Sequence, residues 1–176
     1  MSLILDPAMD GVTHVNMYSK SATAFGRMLS NFYRTPLSLP EGQFQSVEGY
    51  WYYLSLPSDW ALPGQTVPAR EQLKHLYGFQ AKSTGRALRD ALRRNGQATA
   101  FVPDFPERIL AAIAQKLDKH PDMFLPRYRG MPIVHYYAYG SVIRDQTNAF
   151  PWLTAGLNRL VSERYDRQSA ATNGSL

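Results

Sequence analysis

The sequence predicts a single α+β domain, several helices packed around short antiparallel strands, on three observations. Apolar residues at helical spacing and two hairpin patterns follow one another without the βαβ alternation of a doubly wound sheet. The length, 176 residues, suits one hydrophobic core. Hydrophobic residues at 44% and charged residues at 19% are ordinary for a globular domain.

His14-Val15-Asn16-Met17-Tyr18 alternates with period two and predicts a strand, followed by a helix over about 22–29 and a break at Ser30-Asn31-Phe32-Tyr33. Leu37-Ser38-Leu39 and Phe44 flank Pro40-Glu41-Gly42, a hairpin signal. Ser46 offers a hydroxyl cap to a helix whose inner face would carry Val47, Tyr50, Trp51 and Leu54, with Pro57 ending it. From Pro68 to Arg94 the apolar spacing is helical, Gly78 and Gly85 are candidate break points, and Gly96 is the terminator.

Asp104, with Glu107 three residues on, opens a helix expected to bury Ile109, Leu110, Ile113 and Leu117. Gly140-Ser141, between Ile133–Tyr139 and Val142-Ile143, predicts a two-residue hairpin turn with glycine first. Asn148 and Pro151 start a last helix carrying Trp152, Leu153, Leu157, Leu160 and Val161. The expected domain spans 14–165, between a mobile N-terminal segment, 1–13, and a mobile polar tail, 166–176.

Several function classes drop out on composition. Without cysteine there is no disulfide framework, no thiolate metal site and no cysteine nucleophile. The start has no basic n-region or long apolar run, and no stretch approaches a membrane span, so a cytoplasmic protein without a membrane partner is expected. A formal net charge of +5 favours phosphate-bearing partners weakly, because the basic residues are scattered. Dinucleotide, phosphate-loop and His-Glu-x-x-His signatures are missing, and His14, His75, His120 and His135 form no ligand pair, so neither a metal nor another cofactor is expected.

One carboxylate stands in strongly aromatic surroundings: Glu48, within Ser46-Val47-Glu48-Gly49-Tyr50-Trp51-Tyr52, after Ser30-Asn31-Phe32. An Asn-Phe pair, a hairpin, and then a Ser-x-Glu helix start rich in aromatics resemble the NADAR/YbiA-like family of N-glycosidases, including its phage-type members. The likeness is specific over 16–54 and looser around Ala81-Lys82-Ser83-Thr84-Gly85-Arg86. The C-terminal Asp-x-x-Trp-Gly of many relatives is replaced here by Ile133 to Gly140, with Asp145 and Trp152 beyond.

The resemblance implies cleavage of the bond between a base or amine and ribose, in ribosylated pyrimidines or ADP-ribosylated guanine. Glu48 would be its catalytic residue. The expected partner is a phosphorylated ribosyl or ADP-ribosyl substrate, or ADP-ribosylated nucleic acid. A non-catalytic module binding ADP-ribose or a nucleotide is the alternative.

The residues support this chemistry directly. N-glycosidic cleavage develops positive charge at the anomeric carbon, which a carboxylate can stabilise while it activates water or protonates the leaving nitrogen. Helix N-terminal charge stabilisation is the plainer role for Glu48. Asn31 would hydrogen-bond a ribose hydroxyl or base edge, or cap its own turn. Phe32, Tyr50, Trp51 and Tyr52 offer stacking faces or core packing. Lys82 and Arg86, four apart on a helix, suit a phosphate clamp or a solvated face. Arg127, Arg129, His135 and Asp145 have structural readings as well as functional ones.

Overall fold

The computed structural model describes residues 5–173. In chain order its elements are β1 (Val15–Asn16), α1 (Ala24–Leu29), β2 (Leu37–Leu39), β3 (Gly42–Phe44), α2 (Val47–Tyr53), α3 (Gly78–Arg94), α4 (Phe105–Asp118), β4 (Ile133–Val134), β5 (Tyr136–Tyr139), β6 (Val142–Asp145) and α5 (Pro151–Asn173). This is an α+β architecture, as the patterning predicts. The strands form two-stranded ladders, β2–β3 and β5–β6 antiparallel and β1–β4 parallel. The parallel pair departs from the expected antiparallel set. It joins segments far apart in sequence, Val15 with Ile133 and Asn16 with Val134, which no local turn signal announces. The chain divides into two compact units, Met1–Ser30 with Leu117–Leu176, and Asn31–Lys116.

In the first unit the buried Asn16 side chain joins β1 to β5. Its amide donates to the Tyr136 carbonyl and accepts from the Tyr136 N–H, both at 3.1 Å. Asp10 accepts from Asn16 N–H, Ser21 hydroxyl and Ala22 N–H, which fixes the turn into α1. Phe25 on α1 stacks on Tyr128 and meets Phe124 edge-on, and Phe124 in turn meets Tyr165 of α5. Gly140, at φ +60, opens the two-residue turn that pairs Tyr139 with Val142. Helix α5 buries Leu153, Leu157, Leu160, Val161 and Tyr165, while Trp152 stays partly exposed.

The end segments carry local helical structure where they are described. Residues 7–9 form a 3-10 turn capped by Asp6, and 166–173 continue α5. Arg129 reaches Asp166 and Ser169, and Gln168 reaches the Pro121 carbonyl, which gives those late turns tertiary partners. Residues 1–4 and 174–176, part of both end segments, lie outside the described residues.

In the second unit the β2–β3 hairpin buries Leu37 against Phe44, and Gly42 takes φ +124 at its turn. Ser38 N–H and carbonyl face away from β3 and are both met by the Gln115 side-chain amide, at 2.7 and 2.8 Å. The Ser46 hydroxyl caps α2 by accepting from Gly49 N–H and donates onward to the Leu76 carbonyl, both at 3.0 Å. Helix α2 is buried nearly all round, not on one face, because α3 and the 3-10 helix Ala69–His75 both pack on it. It stops at Tyr53, ahead of Pro57, where the Ser55 hydroxyl donates to the Tyr52 carbonyl.

The helical pattern from Pro68 to Arg94 breaks at Gly78 and not at Gly85. Gly78 holds φ +56, and its N–H donates to the Phe32 carbonyl at 3.1 Å. Gly96, at φ +73, follows the end of α3. On α4 the residues Ile109, Ala112, Ile113 and Leu117 are buried, and Leu110 is only half so. The Asp104 carboxylate, expected as a helix cap, takes the Arg108 guanidinium at 2.8 Å, and Arg108 also pairs with Glu41.

Candidate functional site

All the residues that the sequence proposes for the site belong to the second unit. Two consecutive carbonyls organise it. Asn31 accepts from Glu48 N–H at 3.0 Å and Phe32 accepts from Gly78 N–H, so one short segment is tied to the first turn of α2 and the first turn of α3. This brings the Asn-Phe pair to the Ser-x-Glu helix start. Glu48 lies in the first turn of α2, where backbone N–H groups favour negative charge, and is partly buried.

Helix α3 supplies the opposite charge. Lys82, Arg86 and Arg89 recur at i, i+4 and i+7 and therefore share one helix face. The Lys82 ammonium sits 5.4 Å from the centre of the Phe32 ring. The Arg89 guanidinium lies 4.4 Å over Tyr52 and 5.3 Å from Phe101, and its Nε donates to the Ser55 hydroxyl at 2.9 Å. Tyr52 can approach α3 so closely because position 85 is glycine: a β-carbon there would overlap the ring.

The electrostatics follow from this packing. Burial pushes the Glu48 carboxyl up to about 7, with Lys82, then Arg89 and Arg86, pulling against it. Burial also raises the Tyr52 phenol, and the Glu48 carboxylate adds to that effect. Arg89 is lowered by its burial, with the Tyr52 oxygen partly offsetting it. A carboxyl that titrates near neutrality beside cations can hold or release a proton at working pH, which suits acid/base work.

The fold separates the sequence candidates. Glu48, Asn31, Phe32 and Lys82 come together, although the contact of Asn31 to Glu48 is through its main chain. Arg86 sits on the same face and is exposed. Tyr50 turns into the core: it is 1% exposed, its ring meets Phe44 and its hydroxyl donates to Glu41 at 2.9 Å. Trp51 packs edge-on against Phe105 and Phe101. Neither of these two presents an open stacking face. The aromatic rings beside the cations are Phe32, next to Lys82, and Tyr52 and Phe101, next to Arg89.

Arg89 was not among the sequence candidates, yet its i+7 spacing from Lys82 was a legible signal. Outside the site, Arg129 pairs with Asp166, Arg127 covers the Tyr128 ring, and the Asp145 carboxylate accepts from Thr147 N–H in a local turn. The β5–β6 hairpin carries an open hollow lined by Tyr139, Val142 and Arg144, and no carboxylate lines it. Among the described residues no group of three or more His, Asp and Glu gathers as a metal site, and no helix is long and apolar enough to cross a membrane. Comparisons of the chain with protein-family models, curated proteins and solved structures found no match in any of the three.

Proposed function

We propose that the protein is an N-glycosidase of the NADAR/YbiA-like kind, hydrolysing the bond between a base or amine and ribose in an ADP-ribosylated or ribosylated nucleotide-like substrate. ADP-ribosylated guanine is the substrate that best represents this class. The observation that carries the reading is Glu48: a partly buried carboxyl, held up to about 7, at the start of α2 and facing the cations of α3.

In this reaction the C1′–N bond breaks and a C1′–O bond forms to water. One proton ends on the departing nitrogen and one proton of the water is given up. A carboxyl with a pKa near neutrality donates the first proton and, once ionised, stabilises the sugar cation and accepts the second. In this reading Lys82 and Arg86 meet the phosphates of such a substrate, with the Phe32 ring beside Lys82. A cytoplasmic setting fits a substrate of this class.

The test is release of free base from ADP-ribosylated guanosine and from a ribosylaminopyrimidine phosphate, followed by chromatography. Turnover by the wild type and its loss in Glu48→Gln is the expected result. No release from either compound would reject the glycosidase, and unchanged release by Glu48→Gln would remove Glu48 from the mechanism.

A further inference from the structure

Arg89 differs from the other cations of α3 in carrying a buried nitrogen without a hydrogen-bond partner. Its Nε is committed to the Ser55 hydroxyl, and its guanidinium carbon lies 4.4 Å from the centre of the Tyr52 ring and 5.3 Å from that of Phe101. Its Nη2 is buried and has no hydrogen-bond partner in the protein. A buried charged donor left without an acceptor is costly, so such a group marks a place where an acceptor is expected to arrive. The fork is held rigid by its other contacts and needs no reordering to receive one.

We propose that Arg89 is the principal anion-binding residue of the Glu48 site, its Nη2 edge taking a phosphate oxygen of the ligand while Lys82 and Arg86 flank it. This rests on the reading of the site as one for a phosphorylated ribosyl substrate, and it assigns the tightest phosphate contact to Arg89 and not to the exposed Arg86. The Phe101 ring, 5.3 Å from the guanidinium carbon and 47% exposed, lies between α3 and α4 where the chain has no helix or strand, and it also packs on Phe105.

The assignment makes Arg89 a selector for anions. A carboxylate alone at this position would repel phosphate, and Glu48 does so whenever it is ionised. A bound guanidinium within the same cluster offsets that repulsion and offers a directed donor. Ligands lacking a phosphate would leave Nη2 unmet and bind more weakly.

The experiment is calorimetric titration of inorganic pyrophosphate into the wild type, Arg89→Gln, Arg89→Lys and Arg86→Gln, with no glycosidic bond present. Its outcome is therefore separate from that of the base-release assay. Arg89→Gln is expected to weaken binding by about 10-fold or more, Arg89→Lys by a smaller factor, and Arg86→Gln by less than about 3-fold. Thermal melting checks that each variant is folded. If Arg89→Gln does not fold, Arg89→Lys decides, because it keeps the charge and loses the fork. No pyrophosphate binding by the wild type, unaltered affinity in Arg89→Gln or, failing that variant, in Arg89→Lys, or a larger loss in Arg86→Gln overturns the assignment.

Discussion

The ring of Tyr52 occupies the space that a β-carbon at Gly85 would need. Helix α2 and helix α3 approach one another through this pair, and the approach sets Arg89 over the same ring. Gly85→Ala should therefore cost roughly 1 to 3 kcal/mol, the range of overpacked cores, although alanine is the better helix former. Urea unfolding measures it. A variant as stable as the wild type would mean that the two helices separate at little cost.

Stability should depend on pH through Glu48. Its folded pKa of about 7 lies above the ordinary 4.5, so the native state holds a proton that the unfolded chain has released. The contribution is fully present below pH 4.5 and is lost as pH rises through 7. Glu48→Gln should thus gain on the wild type by up to about 3 kcal/mol at pH 8.5 and be nearly equal to it at pH 4.5. A difference that does not vary with pH would show that the carboxyl is not desolvated.

The rate should follow the same proton. With Glu48 as the acid that serves the departing nitrogen, kcat should fall about tenfold per pH unit above pH 7. A kcat profile that stays level to pH 9 would assign the proton to another donor.

Lys82→Ala should raise KM for a phosphorylated substrate by about 10-fold and change kcat by less than about 2-fold, because a phosphate contact is made equally in ground and transition states. Steady-state kinetics on the same substrate with and without its phosphate separates this from a structural effect. Equal losses for both substrates would return the lysine to a packing role over Phe32.

In the first unit, Asn16→Ala should cost roughly 2 to 4 kcal/mol, since it strands the buried N–H and carbonyl of Tyr136 together. Differential scanning calorimetry reads the loss. A drop of under about 1 kcal/mol would mean that solvent reaches both groups.

Much of this fold was legible wherever short-range chemistry decides it. Ser46 announces α2, Gly42 and Gly140 announce the two hairpins, and Gly96 closes α3, each through a cap or a backbone angle that a single residue determines. Longer-range effects were not legible. Gly78 breaks its helix, and Gly85 does not, because Phe32 offers a carbonyl to the first and Tyr52 offers a ring to the second. The near-complete burial of α2 depends on two neighbours, so the one-faced pattern that turned Tyr50 and Trp51 inward did not announce that Tyr52 and Tyr53 are buried as well. Glu48 was a candidate in the sequence as a single carboxylate among aromatics and through the family resemblance, whereas the contacts of Arg89 with Tyr52, Phe101 and Ser55 are assembled only in the folded chain.

The Gln115 side chain bonds both main-chain groups of Ser38 as a neighbouring strand would. It stands in for a third strand at the one residue of β2 whose polar groups point outward from the hairpin. A passing extended chain, whether nascent or misfolded, finds those groups already taken and cannot add itself to β2 there. The residue that fastens the hairpin thereby protects the protein from being recruited into aggregates at that position.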